Sequence, residues 1–463
     1  MAPSLWRDCP TLVVATAALV VAMLATGFIA LQPFDQPFIG IEPVSWIVAA
    51  GMIAGGGFML LPGTMPYLVA RPDSLYWVLG IGLALRLMMM IPEPILEIDY
   101  TRYLWDGAVI NAGFSPYGWS PGEIISGAGP EALSRLAKAS SGVIDEINYP
   151  QLTTIYPPAA EFIFAVTNWI RPWDLMVWRL VILAFEMATL ALLHAVLVQL
   201  GRPPHWLILY WWNPVVIMAF SNAAHMDAIL LPALLGATLF AIRARGSLAA
   251  VCLALAAAVK LWPLLLLPTL TRSPRAAALF ALVATVLLWP FISQAFQTDA
   301  GQTDTGLRAY GGSWERNAAL FHALLGGLRS VLDGFGLFAL DAGRILRAAV
   351  GVAVVMIALG INRRAAADGE TMVRRMVVVI AAILLLGPTL YPWYYTWMVP
   401  FLAIVPIPGL LAFSVVLPLY YLQFHPWFQD HSQVFTDYVV WLEQGPIFIL
   451  LLMAWRARRR ADP

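Results

Sequence analysis

The run "LALAAAVKLWPLLLLP", residues 253–268, is apolar from end to end except for Lys260, and Pro263 follows that lysine by three positions. With its flanks it extends over 248–270, long enough to cross a hydrocarbon layer of about 30 Å. A lysine in mid-run costs about 2.5–3.5 kcal/mol on insertion scales, and an internal proline removes a helical hydrogen bond. Together they predict a broken or re-entrant helix, a form membranes tolerate where irregular backbone lines a protein cavity.

Apolar runs recur on both sides of this one, at 11–32, 44–62, 74–92, 156–170, 177–200, 206–221, 226–242, 275–296, 317–332, 340–361, 373–391, 395–406, 408–424 and 438–455. The chain of 463 residues is 60% hydrophobic and only 12% charged. That composition predicts an all-α polytopic membrane protein, a single membrane domain over residues 1–463 with about 11–14 transmembrane or re-entrant helices. The first run is too long for the apolar region of a signal peptide and reads as a retained span. The segment 156–170 reads as a second broken or re-entrant piece, because Pro157 and Pro158 open it and a single crossing would put an arginine cluster on the wrong side.

Lys plus Arg equals Asp plus Glu at 27 each, so no net positive field draws nucleic acid. Cys9 and Cys252 support neither a disulfide framework nor a thiolate metal site. Basic residues cluster beside the spans, at Arg7, Arg71, Arg202, Arg243 with Arg245, Arg272 with Arg275, Arg363 with Arg364, Arg374 with Arg375, and the tail "RARRR". The positive-inside rule places them, and both termini, in the cytoplasm. A large first loop, 93–155, then faces outward from the cytoplasmic membrane, as do 303–317, 391–397 and 425–433.

The acids gather in that loop. "EIDYTRYLWDGAVINAGFSPYGWSPGE", residues 97–123, holds Glu97, Asp99, Arg102, Asp106 and Glu123. Asp99 follows a span directly, which lowers its solvation and raises its basicity, as a general base requires. In an extended segment Glu97 and Asp99 share a face; the other reading is a solvated acidic cluster. Lys260 also has two readings, a cation for a lipid phosphate or a side chain snorkelling from a shallow tip. In "NAAHMDA" (222–228) His225 and Asp227 are candidate substrate contacts, or Asn222 caps a helix and Asp227 occupies its first turn. The aromatics of "YPWYYTW" (391–397) suit an interfacial belt as well as a site. Glu186 and His194 receive no role, since packing against a polar helix explains them. No nucleotide-binding glycine loop and no Cys/His metal spacing is present.

In order along the chain stand Asp99 and Tyr100, a G-x-SPY segment (Gly113, Ser115, Pro116, Tyr117), a Y-x-P segment at Tyr156 to Pro158, a WNP segment at Trp212 to Pro214, and a K-x-x-P segment at Lys260 to Pro263. This series, over roughly 74–400, resembles integral-membrane glycosyltransferases of the GT-C architecture. It is most similar to the catalytic subunit of GPI mannosyltransferase I and to bacterial polyprenyl-phosphate-mannose-dependent mannosyltransferases. The resemblance implies catalysis at Asp99, with Glu97 where the family often has aspartate. It implies a polyprenyl-phosphate sugar as donor, mannose by resemblance alone, and a glycan or glycolipid acceptor. Arg102, Lys260 and Arg316 are then candidates for the donor phosphate, and Asp106, Tyr156, His225 and Asp227 for acceptor or substrate contacts. One base without a second nucleophilic carboxylate predicts inversion. No cofactor is expected, and a divalent metal is not. A transporter or flippase of lipid-linked sugars, or a polysaccharide polymerase or ligase, is the alternative.

Overall fold

A computed structural model describes residues 8–32, 37–297 and 306–461; Arg7 and the start of the 303–317 stretch lie outside them. Every regular element among the described residues is a helix. Five helices are long and apolar enough to cross a membrane: Pro10–Ala30, Leu175–Gln199, Pro274–Ser293, Ala342–Ile361 and Ser432–Ala457. The number rises to seven if two bent pairs each count as one span. Three shorter apolar helices, Ser74–Met89, Gly246–Val259 and Pro408–Phe424, accompany them. The length and apolarity of these helices mark an integral membrane protein. Fewer unbroken spans form than the apolar runs suggest, because proline and polar residues split several runs into short 3-10, π and α pieces.

The breaks carry the site. The pair Pro214–Asn222 and Met226–Ile242 is bent by 105°, with Ala224 in the left-handed region at φ 56°. Buried donors replace the helical bonds lost there: Trp178 Nε1 donates to Ala224 O at 2.7 Å and Arg179 Nη2 to Asn222 O at 2.7 Å. The same guanidinium reaches Met90 O at 2.7 Å and Pro92 O at 2.9 Å. Asn222 completes the tie, accepting from Ile95 N at 2.8 Å and donating to Glu93 O at 3.0 Å. Its side chain thus anchors the segment that delivers Glu97 and Asp99. The chain breaks again at Lys260, which is extended (φ −155°, ψ 137°) at the end of the helix Gly246–Val259.

Two further features fix the frame. Arg86 and Glu186, both fully buried, pair at 2.7 Å, and Arg86 also donates to Trp211 O at 2.6 Å and stacks on the Trp211 ring. A buried charge needs such full pairing. Helices Tyr100–Asn111 and Pro158–Ile170 meet at Gly107, where a Cβ would stand 2.3 Å from Phe164 O; only glycine permits that approach.

Candidate functional site

A cavity of about 810 Å³ opens between the 96–103 segment, the Lys260 break and the aromatic turn after Leu390. Seven of the nine residues singled out from the sequence line it: Glu97, Asp99, Arg102, Tyr156, Asp227, Lys260 and Arg316. They come from segments more than 200 positions apart, so the fold brings them together. Asp106 and His225 lie outside the lining, Asp106 behind Arg102 and His225 beneath Asp99.

Asp99 stands at the N-terminus of the helix Tyr100–Asn111 with its side chain 26% exposed. Asn148 Nδ2 donates to its Oδ1 at 3.4 Å. His225 Nδ1 lies 3.9 Å from its Oδ2, and the imidazole stacks on Trp393 at 3.9 Å between ring centres. Burial pushes the Asp99 carboxyl above its ordinary value, while the Asn148 hydrogen bond and then the Lys260 charge pull it back. Glu97 is 5% exposed, its Oε1 has no partner among the described residues, and Leu96 before it has φ 60°. Burial first, and the Asp99 charge second, raise Glu97 well above the carboxylate range. The two acids therefore differ: burial holds Glu97 further toward its neutral form, while the Asn148 hydrogen bond and the Lys260 charge favour the ionised form of Asp99.

Each of the three cations has a different environment. Lys260 Nζ pairs with Asp227 Oδ1 at 2.7 Å and lies over the Tyr394 and Trp397 rings, at 4.4 Å and 4.8 Å. The part-buried ammonium is thus held by a buried carboxylate and two aromatic faces. Trp397 Nε1 donates to that same oxygen. Arg102 Nε bonds both oxygens of Asp106 at 3.0 Å, and its Nη1 bonds Leu152 O at 3.1 Å. Its Nη2 is buried without an acceptor among the described residues. Arg316 is set by its backbone, which donates to Pro388 O at 3.0 Å and accepts from Leu390 N at 3.0 Å. No carboxylate pairs with it among the described residues, which leaves it the most available cation.

Three acids and three bases line the cavity. The cations thus match the acids in number, burial works against the charge on Glu97, and the wall from Tyr391 to Trp397 is aromatic. A concave space with aromatic walls and a few convergent charged groups has the general character of a small-molecule site. Among the described residues no group of three or more His, Cys, Asp or Glu is placed to hold a metal ion.

Sequence reasoning missed Asn148 as a contact of Asp99 and Glu161 behind Arg102; Tyr394 and Trp397 belong to the YPWYYTW stretch, which reads as belt or site, and the structure places them over Lys260. Asn148 carries no local signal; Glu161 does, as one acid in the apolar run 156–170. Comparison with protein-family models, curated proteins and solved structures finds no match to this chain.

Proposed function

We propose that this chain is a membrane glycosyltransferase of GT-C type that moves a sugar from a polyprenyl-phosphate donor to a glycan or glycolipid acceptor with inversion. The observation that supports this reading best is one cavity holding a part-exposed carboxylate that hydrogen-bonds no cation, Asp99, together with Arg102, Lys260 and Arg316. Mannose as the sugar follows from the resemblance of the Asp99, Y-x-P and K-x-x-P segments alone. By the distribution of arginines, the cavity faces outward from the cytoplasmic membrane.

In this reading the acceptor hydroxyl donates to Asp99. As its oxygen attacks the anomeric carbon, the proton passes to the carboxylate and the bond from that carbon to the lipid-phosphate oxygen breaks. The leaving phosphate gains charge, and Arg316, with Arg102 in the same cavity wall, is the cation to receive it. Lys260, already shared with Asp227, supplies a weaker and longer-range field. Displacement by the acceptor itself on one face inverts the centre.

The two bent helix pairs favour a second reading, a flippase for the same lipid-linked sugar, since broken helices also frame transport sites. Their bends of 44° and 105° are not equivalent, as an internal repeat would make them. Purified protein given radiolabelled polyprenyl-phosphate-mannose separates the two: a transferase moves label off the lipid, whereas a flippase in vesicles moves the intact lipid across the bilayer.

A further inference from the structure

At the helix ends farthest from the cavity, four arginines meet around one turn. Helix Gly369–Leu386 starts beside them and delivers Gly387 to the cavity wall, a run of about 27 Å at 1.5 Å per residue. Helix Ala342–Ile361 runs the other way; near its start Arg347 Nη2 donates to Trp314 O at 3.3 Å, beside the cavity. The turn between the two helices carries Arg363 and Arg364, and Arg272 and Arg375 fold onto it from either side. Arg272 Nη2 donates to Arg364 O at 2.5 Å and to Asn362 O at 3.2 Å. Arg375 Nη1 donates to the same Arg364 O at 2.7 Å, and its Nη2 to Ala365 O at 3.3 Å. Asn362 Nδ2 ties the turn to Thr269 Oγ1 at 2.8 Å.

Two guanidinium groups that share one carbonyl oxygen repel each other at close range, and neither can shed its charge. The carbonyls of a helix C-terminus supply only about half a unit of negative charge. The acids that follow are engaged elsewhere: Asp368 Oδ1 accepts from Thr371 N at 2.7 Å, and Glu370 pairs with Arg202 at 2.9 Å. No carboxylate pairs with Arg272, Arg363, Arg364 or Arg375 among the described residues, and the first three of these side chains are exposed. The turn therefore holds uncompensated positive charge within open reach of an anion. An apolar face beside it selects the kind of anion. Val352, Val355, Met356 and Leu359 are all exposed at the spacing of one helix face, and Arg363 follows one turn beyond Leu359. A lipid chain lying along this face brings its phosphate to the turn, where arginine forks match phosphate oxygens. We propose that Arg272, Arg363, Arg364 and Arg375 form a headgroup site for an anionic phospholipid, on the membrane face opposite the cavity. The bound phosphate bridges segments whose far ends, Lys260 and Gly387, line the cavity.

The test uses the purified full chain in detergent, washed free of lipid, with dioleoyl phosphatidylglycerol, dioleoyl phosphatidylcholine or inorganic phosphate added, and reads native mass spectra and thermal unfolding. The wild type should retain phosphatidylglycerol in preference to phosphatidylcholine and melt higher with it. Each arginine removed should weaken retention by about fivefold, the weight of one charge at a membrane surface, so Arg272→Gln with Arg375→Gln should lose more than about tenfold. Because those two side chains also brace the turn, Arg363→Gln with Arg364→Gln is the companion variant. It should lose as much retention while leaving the melting temperature without lipid unchanged. Phosphatidylglycerol held equally by the wild type and both double variants, or held no better than phosphatidylcholine, overturns the proposal. So does a rise in melting temperature with inorganic phosphate as large as that with phosphatidylglycerol, which would mark a site for a free anion.

Discussion

Asp99 and Glu97 are two positions apart and do different things because their surroundings differ. Asp99 is part-exposed to the cavity and bonded to Asn148, whereas Glu97, at the cavity edge, is nearly fully buried and its Oε1 has no partner among the described residues. Asp99→Asn should leave the fold intact and lower transfer by about a hundredfold or more, the usual contribution of a general base; initial rates in purified protein check this. Since burial raises the Asp99 carboxyl, kcat/KM should decline on acidification at a pH above the ordinary carboxylate range, and Asp99→Asn should remove that decline from what activity remains. Glu97 gives the opposite kind of test. Its folded-state proton affinity exceeds that of the unfolded chain, so the fold loses stability as pH rises from the unfolded to the folded value. Glu97→Gln should therefore raise the melting temperature at neutral pH and leave it unchanged under acid conditions where both forms are neutral. An equal melting temperature at neutral pH would show that Glu97 is already ionised without cost.

At the scale of elements, the broken helices matter more than the straight ones. The interruption at Lys260 was legible in "AAAVKLWP", since one charge and one proline in an apolar run demand an irregular backbone. Its partner was not, because Asp227 lies 33 residues away and nothing local links the two. The 105° bend at 223–225 was equally hidden: it is stabilised by Trp178 and Arg179 on a different helix, and Asn222 reads locally as a cap. Lys260→Met would strand Asp227, which is 1% exposed, and should destabilise the protein by about 3 kcal/mol or less, below the fully buried case because Lys260 is partly open to the cavity. The double variant Lys260→Met with Asp227→Asn should recover most of that stability without recovering donor affinity, as thermal unfolding and donor KM report. Stability lost equally in both would remove the pair's structural role. Gly107→Ala tests the second element contact. The added methyl would collide with Phe164 O, parting the helices that hold Asp106 and Glu161, and should lower the melting temperature by several degrees.

Over the whole molecule, membrane character could be read from composition alone, and the acid-bearing loop from its contrast with the spans around it. The convergence of residues 97–102, 227, 260 and 316 on one cavity could not, since it depends on the breaks at 223–225 and at Lys260 and on the backbone pairing of Arg316 with 388–390. That convergence also bears on metal use. Protein cations already face the cavity, and a lipid monophosphate leaving group develops less charge than a nucleotide diphosphate. Transfer should persist in EDTA and gain nothing from added magnesium or manganese; loss in chelator with recovery on add-back would recast Glu97 and Asp99 as ligands. The most direct measurement uses purified wild type and Asp99→Asn side by side, each incubated with radiolabelled polyprenyl-phosphate-mannose and a membrane glycolipid extract. Label leaving the polyprenyl phosphate for an extract glycolipid in the wild type, with inverted configuration and a rate lowered by about a hundredfold in Asp99→Asn, is the predicted result. Label that stays on the polyprenyl phosphate in both proteins, or moves equally well in both, would contradict it.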